Sequence, residues 1–386
     1  MRALIAFDKF KDALTAQQAC RIAADILREQ HPDWYLDLCP LTDGGEGFAN
    51  ILTESASGDM HTASVTGPRA APVSTQFGLV PLNRLPIAAR KRLALPNQIP
   101  DDAQIAIVEM ASASGLALLA PDQRNPWQTS STGTGQLLQK AAALGASAIL
   151  LGIGGSATND LGLGALSALG LSFHSADGEV IFPPIPESWS SLTEIRGMTP
   201  SGFPPIRVAC DVTNPLLGPN GCAAIYGPQK GLKASELSAM EELSRRIAQL
   251  LCTHCGKPEA IMGTPGAGAA GGIAFGLMAA GNAQLLSGSS LMLDWLDLPT
   301  RIQSADVVLT GEGRFDESSA QGKGPGAILG LAAAAGLPAH VFAGRISANL
   351  QTSATLHPIT PEDWPLEKAL RSTAGLLGAA VRKLFR

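Results

Sequence analysis

The sequence predicts an α/β protein in which a parallel-sheet domain, built from the two ends of the chain, is interrupted by a second, inserted α/β domain. At 386 residues and 45% hydrophobic content, the chain exceeds the roughly 250 to 300 residues at which a single core stops growing. Strand and helix patterns alternate at the start and return near the end, while the middle shows alternation of the antiparallel kind.

Leu4 to Phe7 is a short β-rich run, Thr15 caps the periodic stretch Ala16 to Glu29, and Trp34 to Leu41 reads as a second strand. The pattern resumes with Asp306 to Thr310, the helix-prone Ala327 to Ala335, then His340 to Ala343 and Leu356 to Ile359. Buried parallel strands read as apolar runs of this sort, and helices between them give right-handed crossovers. Residues 1–60 and 288–386 are therefore expected to share one sheet, and 61–287 to form the insert. Within the insert, Thr62 to Val65 and Val73 to Leu79 alternate as antiparallel strands do. Ile105 to Glu109, Ala148 to Ile153 and Ile206 to Ala209 are further strand candidates. Arg84 to Asp102 and Phe182 to Pro205, rich in Pro with Arg or Ser, are expected to be irregular loops.

Composition narrows the function. With 16% charged residues and a net charge of −5, no sequence-wide basic field exists to hold a polyanion, so nucleic acid is not an expected partner. Gly is frequent at 42 residues and aromatics make up only 5%, which favours close backbone approach to small polar ligands over stacking surfaces. Asp8, Lys9 and Lys11 interrupt the opening apolar run before a secretory segment could form, so a cytoplasmic location is expected. Apolar stretches such as Ala141 to Ile153 and Ile328 to Leu337 fall short of the roughly 20 residues that span a bilayer. No membrane segment is expected. The scattered cysteines read as small buried apolar groups, and Cys252-Thr-His-Cys255 lacks the second ligand pair of a structural zinc site.

Glycine concentrates beside charged or hydroxyl residues in Thr42 to Gly47, Gly152 to Asp160, Gly266 to Gly272 and Thr310 to Asp316. Such turns at the carboxyl ends of strands let backbone N–H groups reach a phosphate. Gly266 to Gly272 follows a Pro rather than a strand, and helix packing is the favoured reading there. Gly152 to Asp160 follows a good strand, so that Gly154, Gly155, Ser156 and Thr158 are a phosphate cradle or a plain strand-to-helix turn on spacing alone. A standard P-loop is excluded because no GxxxxGK[ST] occurs. Phosphoryl transfer needs cations on the moving group, carboxylates for magnesium, and a base for the attacking hydroxyl. Asp43, Glu46, Asp160, Asp211, Glu312 and Asp316 supply carboxylates in such turns, and Lys11, Lys230, Arg314 and Lys323 supply cations. No histidine lies in these segments, so a carboxylate base is expected.

The blocks Ala6 to Ala16, Asp43-Gly-Gly-Glu-Gly47, Glu109 to Leu116 and Gly154-Gly-Ser-Ala-Thr-Asn-Asp160 resemble, in order, signatures of the bacterial glycerate kinase family. Asp211-Val-Thr-Asn-Pro215, Gly227-Pro-Gln-Lys-Gly231, Pro265 to Gly272 and Gly311-Glu-Gly-Arg-Phe-Asp316 with Gly322-Lys323 continue the resemblance. It implies a flavodoxin-like, Rossmann-like parallel-sheet domain carrying an inserted α/β domain, with an active site in a cleft between them. It also implies ATP-dependent, Mg2+-assisted phosphorylation of glycerate, usually D-glycerate to 2-phosphoglycerate. On that basis Asp316 and Glu312 are expected to hold magnesium, and Lys11, Arg314 and Lys323 to neutralise phosphate and carboxylate charge. Asp43 or Asp211 would be the base, Asn214 and Lys230 would bind substrate, and Gly154, Gly155, Ser156 and Thr158 would bind phosphate. Lys9, Leu161 and Ser318 stand where the family commonly has Ser, Gly and Gln, and resemblance is loose after about residue 345. A homodimer is compatible with the sequence. The alternative is a non-catalytic binding protein or sensor for small organic acids. A nicotinamide-dependent dehydrogenase would need a glycine fingerprint after the first strand, where Asp8-Lys-Phe-Lys11 stands instead.

Overall fold

The computed structural model describes residues 1–320, 324–348 and 350–385. Its strands in chain order are β1 (Arg2–Phe7), β2 (Tyr35–Leu38), β3 (Asp59–Thr66), β4 (Pro72–Pro81), β5 (Gln104–Glu109), β6 (Ala148–Gly152) and β7 (Ser172–Ser175). They continue as β8 (Leu192–Arg196), β9 (Ile206–Ala209), β10 (Ala283–Leu286), β11 (Val307–Phe315), β12 (Ala339–Ile346) and β13 (Thr355–Pro358). The chain divides into two units, residues 1–43 with 289–386, and residues 44–288.

In the first unit the strand order is β13-β12-β11-β1-β2, and every pair is parallel. Counted within this unit from the β2 edge, that is the flavodoxin-like order 2-1-3-4-5, with its reversal between β1 and β11. The helix Ala16–Gln30 forms as its sequence predicts. Thr15 Oγ1 accepts from Gln18 N–H at 3.2 Å and Gln18 Oε1 accepts from Thr15 N–H at 2.9 Å, a reciprocal cap that satisfies orphan donors. Its buried stripe of Ala19, Cys20, Ala23, Ala24 and Leu27 packs with the C-terminal helix Leu366–Leu384 against Ile5, Phe7, Leu309 and Phe342 of the sheet. Full burial of a side chain such as Leu27 stabilises by about 1.5–3 kcal/mol.

One segment differs from its expected form. Gly311-Glu-Gly-Arg-Phe315 is not a turn; β11 runs straight through it because β12 stays paired alongside, from Gly311↔Phe342 to Phe315↔Ile346. Gly311 permits this pairing, since a Cβ there would lie 1.8 Å from the Phe342 carbonyl oxygen.

The second unit has a mixed six-stranded sheet in the order β10-β9-β6-β5-β4-β3. β3, β4 and β5 are joined antiparallel and β5, β6, β9 and β10 parallel, as alternating and apolar runs respectively suggest. Its core joins Ile149, Leu151 and Val208 of the sheet to Leu137, Leu251 and Phe275 of the helices Thr132–Ala143, Leu237–His254 and Ala269–Ala280.

The two stretches expected to be irregular both contain regular structure. Ile87–Leu93 is a helix whose Ala89 and Leu93 are buried, and the buried Arg207 donates to the Leu93 and Ala94 carbonyls at 2.7 and 2.6 Å, closing its C-terminus. Within 182–205, Leu192 and Ile195 turn inward on β8, which pairs antiparallel with β7 beside the fully buried Trp189. Pro and Ser counts concealed these short burial patterns. No helix among the described residues is long and apolar enough to cross a membrane.

Candidate active site

Ligands of open α/β sheets bind at the carboxyl ends of strands, at the point where strand order reverses. In the first unit that point lies where β1 and β11 end, and a cavity of about 470 Å³ opens there. Asp8, Lys9 and Lys11 reach it from the turn after β1, Asp43 from the end of the segment after β2, Glu312 and Arg314 from β11, and Arg345 from β12.

The carboxylates strain against one another. Burial, reinforced by the Asp43 charge, pushes the Asp8 carboxyl up to about 6, although Lys9 N–H donates to Asp8 Oδ1 at 2.7 Å. Burial also pushes Glu312 up to about 7; a hydrogen bond from Ser319 opposes this, and the charges of Asp8, Asp316 and Asp43 add to it. Asp43 is held by Lys9, whose Nζ donates to Asp43 Oδ1 at 2.8 Å. Asp316 accepts from Ser319 N–H at 3.3 Å and lies 3.7 Å from Arg314 Nε.

This donor set suits a hard divalent cation. Glu312 Oε1 is buried and has no hydrogen-bond partner among the described residues, and several like charges raise the cost of its ionisation. Among the described residues, no group of three or more His, Cys, Asp or Glu is arranged to hold a metal by itself. Magnesium does not require one, since it keeps several waters and uses one or two carboxylates together with substrate phosphates.

The other candidates lie in the second unit, in the turn that follows β6 and in the segment after β9. Gly154 N–H donates to Gly44 O at 2.9 Å, and a Cβ on Gly154 would meet Gly45 Cα at 2.7 Å, so two glycine-rich segments share one close contact. Gly155 is exposed. Farther along, the turn is closed. Lys230 is 1% exposed, and its Nζ donates to Ser156 Oγ at 2.9 Å and Thr158 O at 2.6 Å. Burial pushes its pKa down to about 8 against the pull of Cys222 and Asp160. Asp160, fully buried, accepts from Ser131 N–H at 2.7 Å, Ser131 Oγ at 2.8 Å, Gly164 N–H at 3.2 Å and Gly162 N–H at 3.2 Å. Asp211 accepts from Ser287 Oγ at 3.0 Å. Asn214 donates to Asn220 O at 2.8 Å and accepts from Tyr226 at 2.6 Å.

Sequence-identified residues therefore fall into two groups. Lys11, Asp43, Glu312 and Arg314 line one cavity, with Asp316 adjoining through Arg314. Gly154, Gly155, Ser156 and Thr158 form one turn, which Lys230 braces, while Asp211 and Asn214 bond elsewhere in the second unit. Gly322 and Lys323 lie outside the described residues, as does the side chain of Ser318. Sequence reasoning missed Asp8 and Arg345 at the cavity. Asp8 carried a usable signal, being the first residue after an apolar strand; Arg345 carried none, because it reaches the site only through the extended β11–β12 pairing.

Comparison with known proteins agrees over the whole chain. A model described as the glycerate kinase family matches residues 3–386. A glycerate kinase of Halalkalibacterium halodurans is 34% identical over 99% of this chain and 96% of its own length. A glycerate 2-kinase of Escherichia coli is 36% identical over 86% and 82%. A crystal structure from Salmonella typhimurium LT2, provisionally assigned as glycerate kinase 2, superposes with a TM-score of 0.77 at 33% identity, covering 100% of this chain and 97% of that one.

Proposed function

The chain belongs to the glycerate kinase family of enzymes, and from that premise we propose that it transfers the terminal phosphoryl group of ATP to D-glycerate, giving 2-phosphoglycerate. The carrying observation is the convergence of Asp8, Asp43 and Glu312 with Lys9, Lys11, Arg314 and Arg345 in one cavity at the sheet's switch point. A site for anions alone would gain nothing from these carboxylates. A site for a phosphate paired with a divalent cation needs both signs.

Asp43 is the base. Its side chain is 53% exposed, so a substrate hydroxyl can reach it, and Lys9 Nζ at 2.8 Å orients the carboxylate. Lys11 and Arg314 meet phosphate and carboxylate charge, joined by Lys323 through its motif. Glu312 and Asp316 hold magnesium, which when bound neutralises charge on the transferring phosphoryl oxygens. In the second unit, exposed Gly155 and the adjoining Ser156 offer anion contacts, while Gly154, Thr158 and Lys230 keep that turn in shape. Asn214 is a polar contact for the acid, and Asp211 is the rival candidate for the base.

Purified protein incubated with D-glycerate and MgATP is expected to release ADP and to give a product whose phosphorus couples to the C2 proton in NMR spectra. Glycerate binding without ADP release would overturn the proposal in favour of an organic-acid sensor.

A further inference from the structure

The cavity of the first unit has a second wall that glycerate does not explain. Besides its charged groups it is lined by Leu366, Ala369 and Leu370 of the C-terminal helix, with Phe10 and Ala13 beside them. The apolar stripe of this helix, Ala369, Thr373, Leu377 and Val381, faces the core. Leu366 and Leu370 extend that stripe by a turn beyond the core, and Leu366 is 69% exposed, a large apolar side chain left at the mouth of a cavity. A three-carbon hydroxy-acid has no apolar face to set against such a wall. A cavity of about 470 Å³ also lies in the range that encloses much larger ligands. Opposite charge and apolar surface in one space match a molecule with an anionic tail and a flat, weakly polar head.

We propose that the first turn of this helix, Leu366, Ala369 and Leu370, is the shelf for the purine ring of the nucleotide donor, and that Arg345 and Lys11 receive its phosphates. Arg345, on β12 and paired in register with Arg314 of β11, lines the same cavity as these helix residues and Glu312. A planar guanidinium there can contact two phosphate oxygens at once. The C-terminal helix thus sets preference for the donor, while the turn after β1 and the end of strand β11 handle the phosphoryl group. This inference rests on the phosphoryl-transfer reading above.

Equilibrium binding of MgADP and of magnesium tripolyphosphate, which has the phosphates without the base, separates the parts. Leu370→Asn, and independently Leu366→Asn at the exposed position, are expected to weaken MgADP by about tenfold or more, the usual scale for lost apolar contact in a pocket, and to leave tripolyphosphate within about twofold. Arg345→Ala is expected to weaken both ligands, and the KM for glycerate should stay unchanged in the leucine variants. Unchanged MgADP affinity in both leucine variants, or equal loss of the two ligands, overturns the shelf. Wild-type protein that binds no MgADP overturns the shelf and the phosphoryl-transfer reading together, whereas normal wild-type binding with indifferent variants overturns the shelf alone.

Discussion

Two polar regions of this molecule use the same residue types to opposite ends. In the cavity of the first unit, Asp8, Asp43 and Glu312 repel one another, and Glu312 Oε1 is buried without a partner among the described residues. In the turn after β6, Asp160 receives hydrogen bonds from Ser131, Gly162 and Gly164, and Lys230 is fixed by Ser156 and Thr158. In the turn each charge is saturated by neighbouring groups, whereas in the cavity the Glu312 carboxylate keeps one oxygen unpaired among the described residues. Substitutions should therefore separate activity from stability according to region.

The largest effect is expected at Asp43. Asp43→Asn should lower kcat by about 10²–10⁴-fold, as loss of a general base does, while Asp211→Asn retains most activity. Its urea midpoint should correspond to a stability change within about 0.5 kcal/mol, because the side chain is 53% exposed. Steady-state kinetics that show near-normal turnover in both variants would reject a base at either position.

Asp160→Ala should reverse that profile. Three backbone N–H groups and the Ser131 hydroxyl would lose their acceptor inside the core, costing about 3–5 kcal/mol in equilibrium unfolding. A midpoint close to wild type would mean that water replaces the carboxylate, and the contrast between the regions would weaken.

Lys230 sharpens the comparison through pH. Its pKa falls from 10.5 in the unfolded chain to about 8 in the folded one, because burial disfavours the charged amine. Between these values the unfolded chain holds more protons, so this residue makes stability rise with pH across that window and withdraws the gain as pH falls through about 8. Wild type minus Lys230→Met, followed by urea unfolding across the window, should climb by up to about 3 kcal/mol. A flat difference would show that water reaches the ammonium.

The smallest effect is expected from Thr15→Ala, which removes one side-chain acceptor at the start of Ala16–Gln30. It should lower stability by about 1 kcal/mol in thermal or urea unfolding and leave kcat unchanged.

Much of this arrangement was legible in the chain. The β1–helix–β2 opening followed from periodicity and a cap, and the antiparallel β3–β4 pair from alternation, because both signals are local. The carboxylates Asp43 and Glu312 and the cations Lys11 and Arg314 stood in glycine-rich segments, and they do meet in one cavity. That the two ends share one sheet was expected, but how far their strands pair was not legible. Nothing local shows that β11 continues through Gly311 to Phe315, which depends on β12 lying beside it, and Arg345 owes its position to the same ladder. Nor did the residue types show that Asp160 and Lys230 point inward. An acid or a lysine in a polar turn reads alike whether it faces solvent or a buried serine, and only packing decides.

The pairing of β1 with β11 bears on how the protein is made. Thr310 Oγ1 donates to Ala6 O at 2.6 Å across a sequence separation of 304 residues, with residues 44–288 forming a unit of their own in between. A ribosome releasing the amino terminus first must deliver β1 long before its central neighbour exists. The interrupting unit is complete by then, and units fold largely in order of synthesis. The cavity is therefore the last feature to assemble, and a nascent chain stalled short of β11 would carry the insert and no cavity.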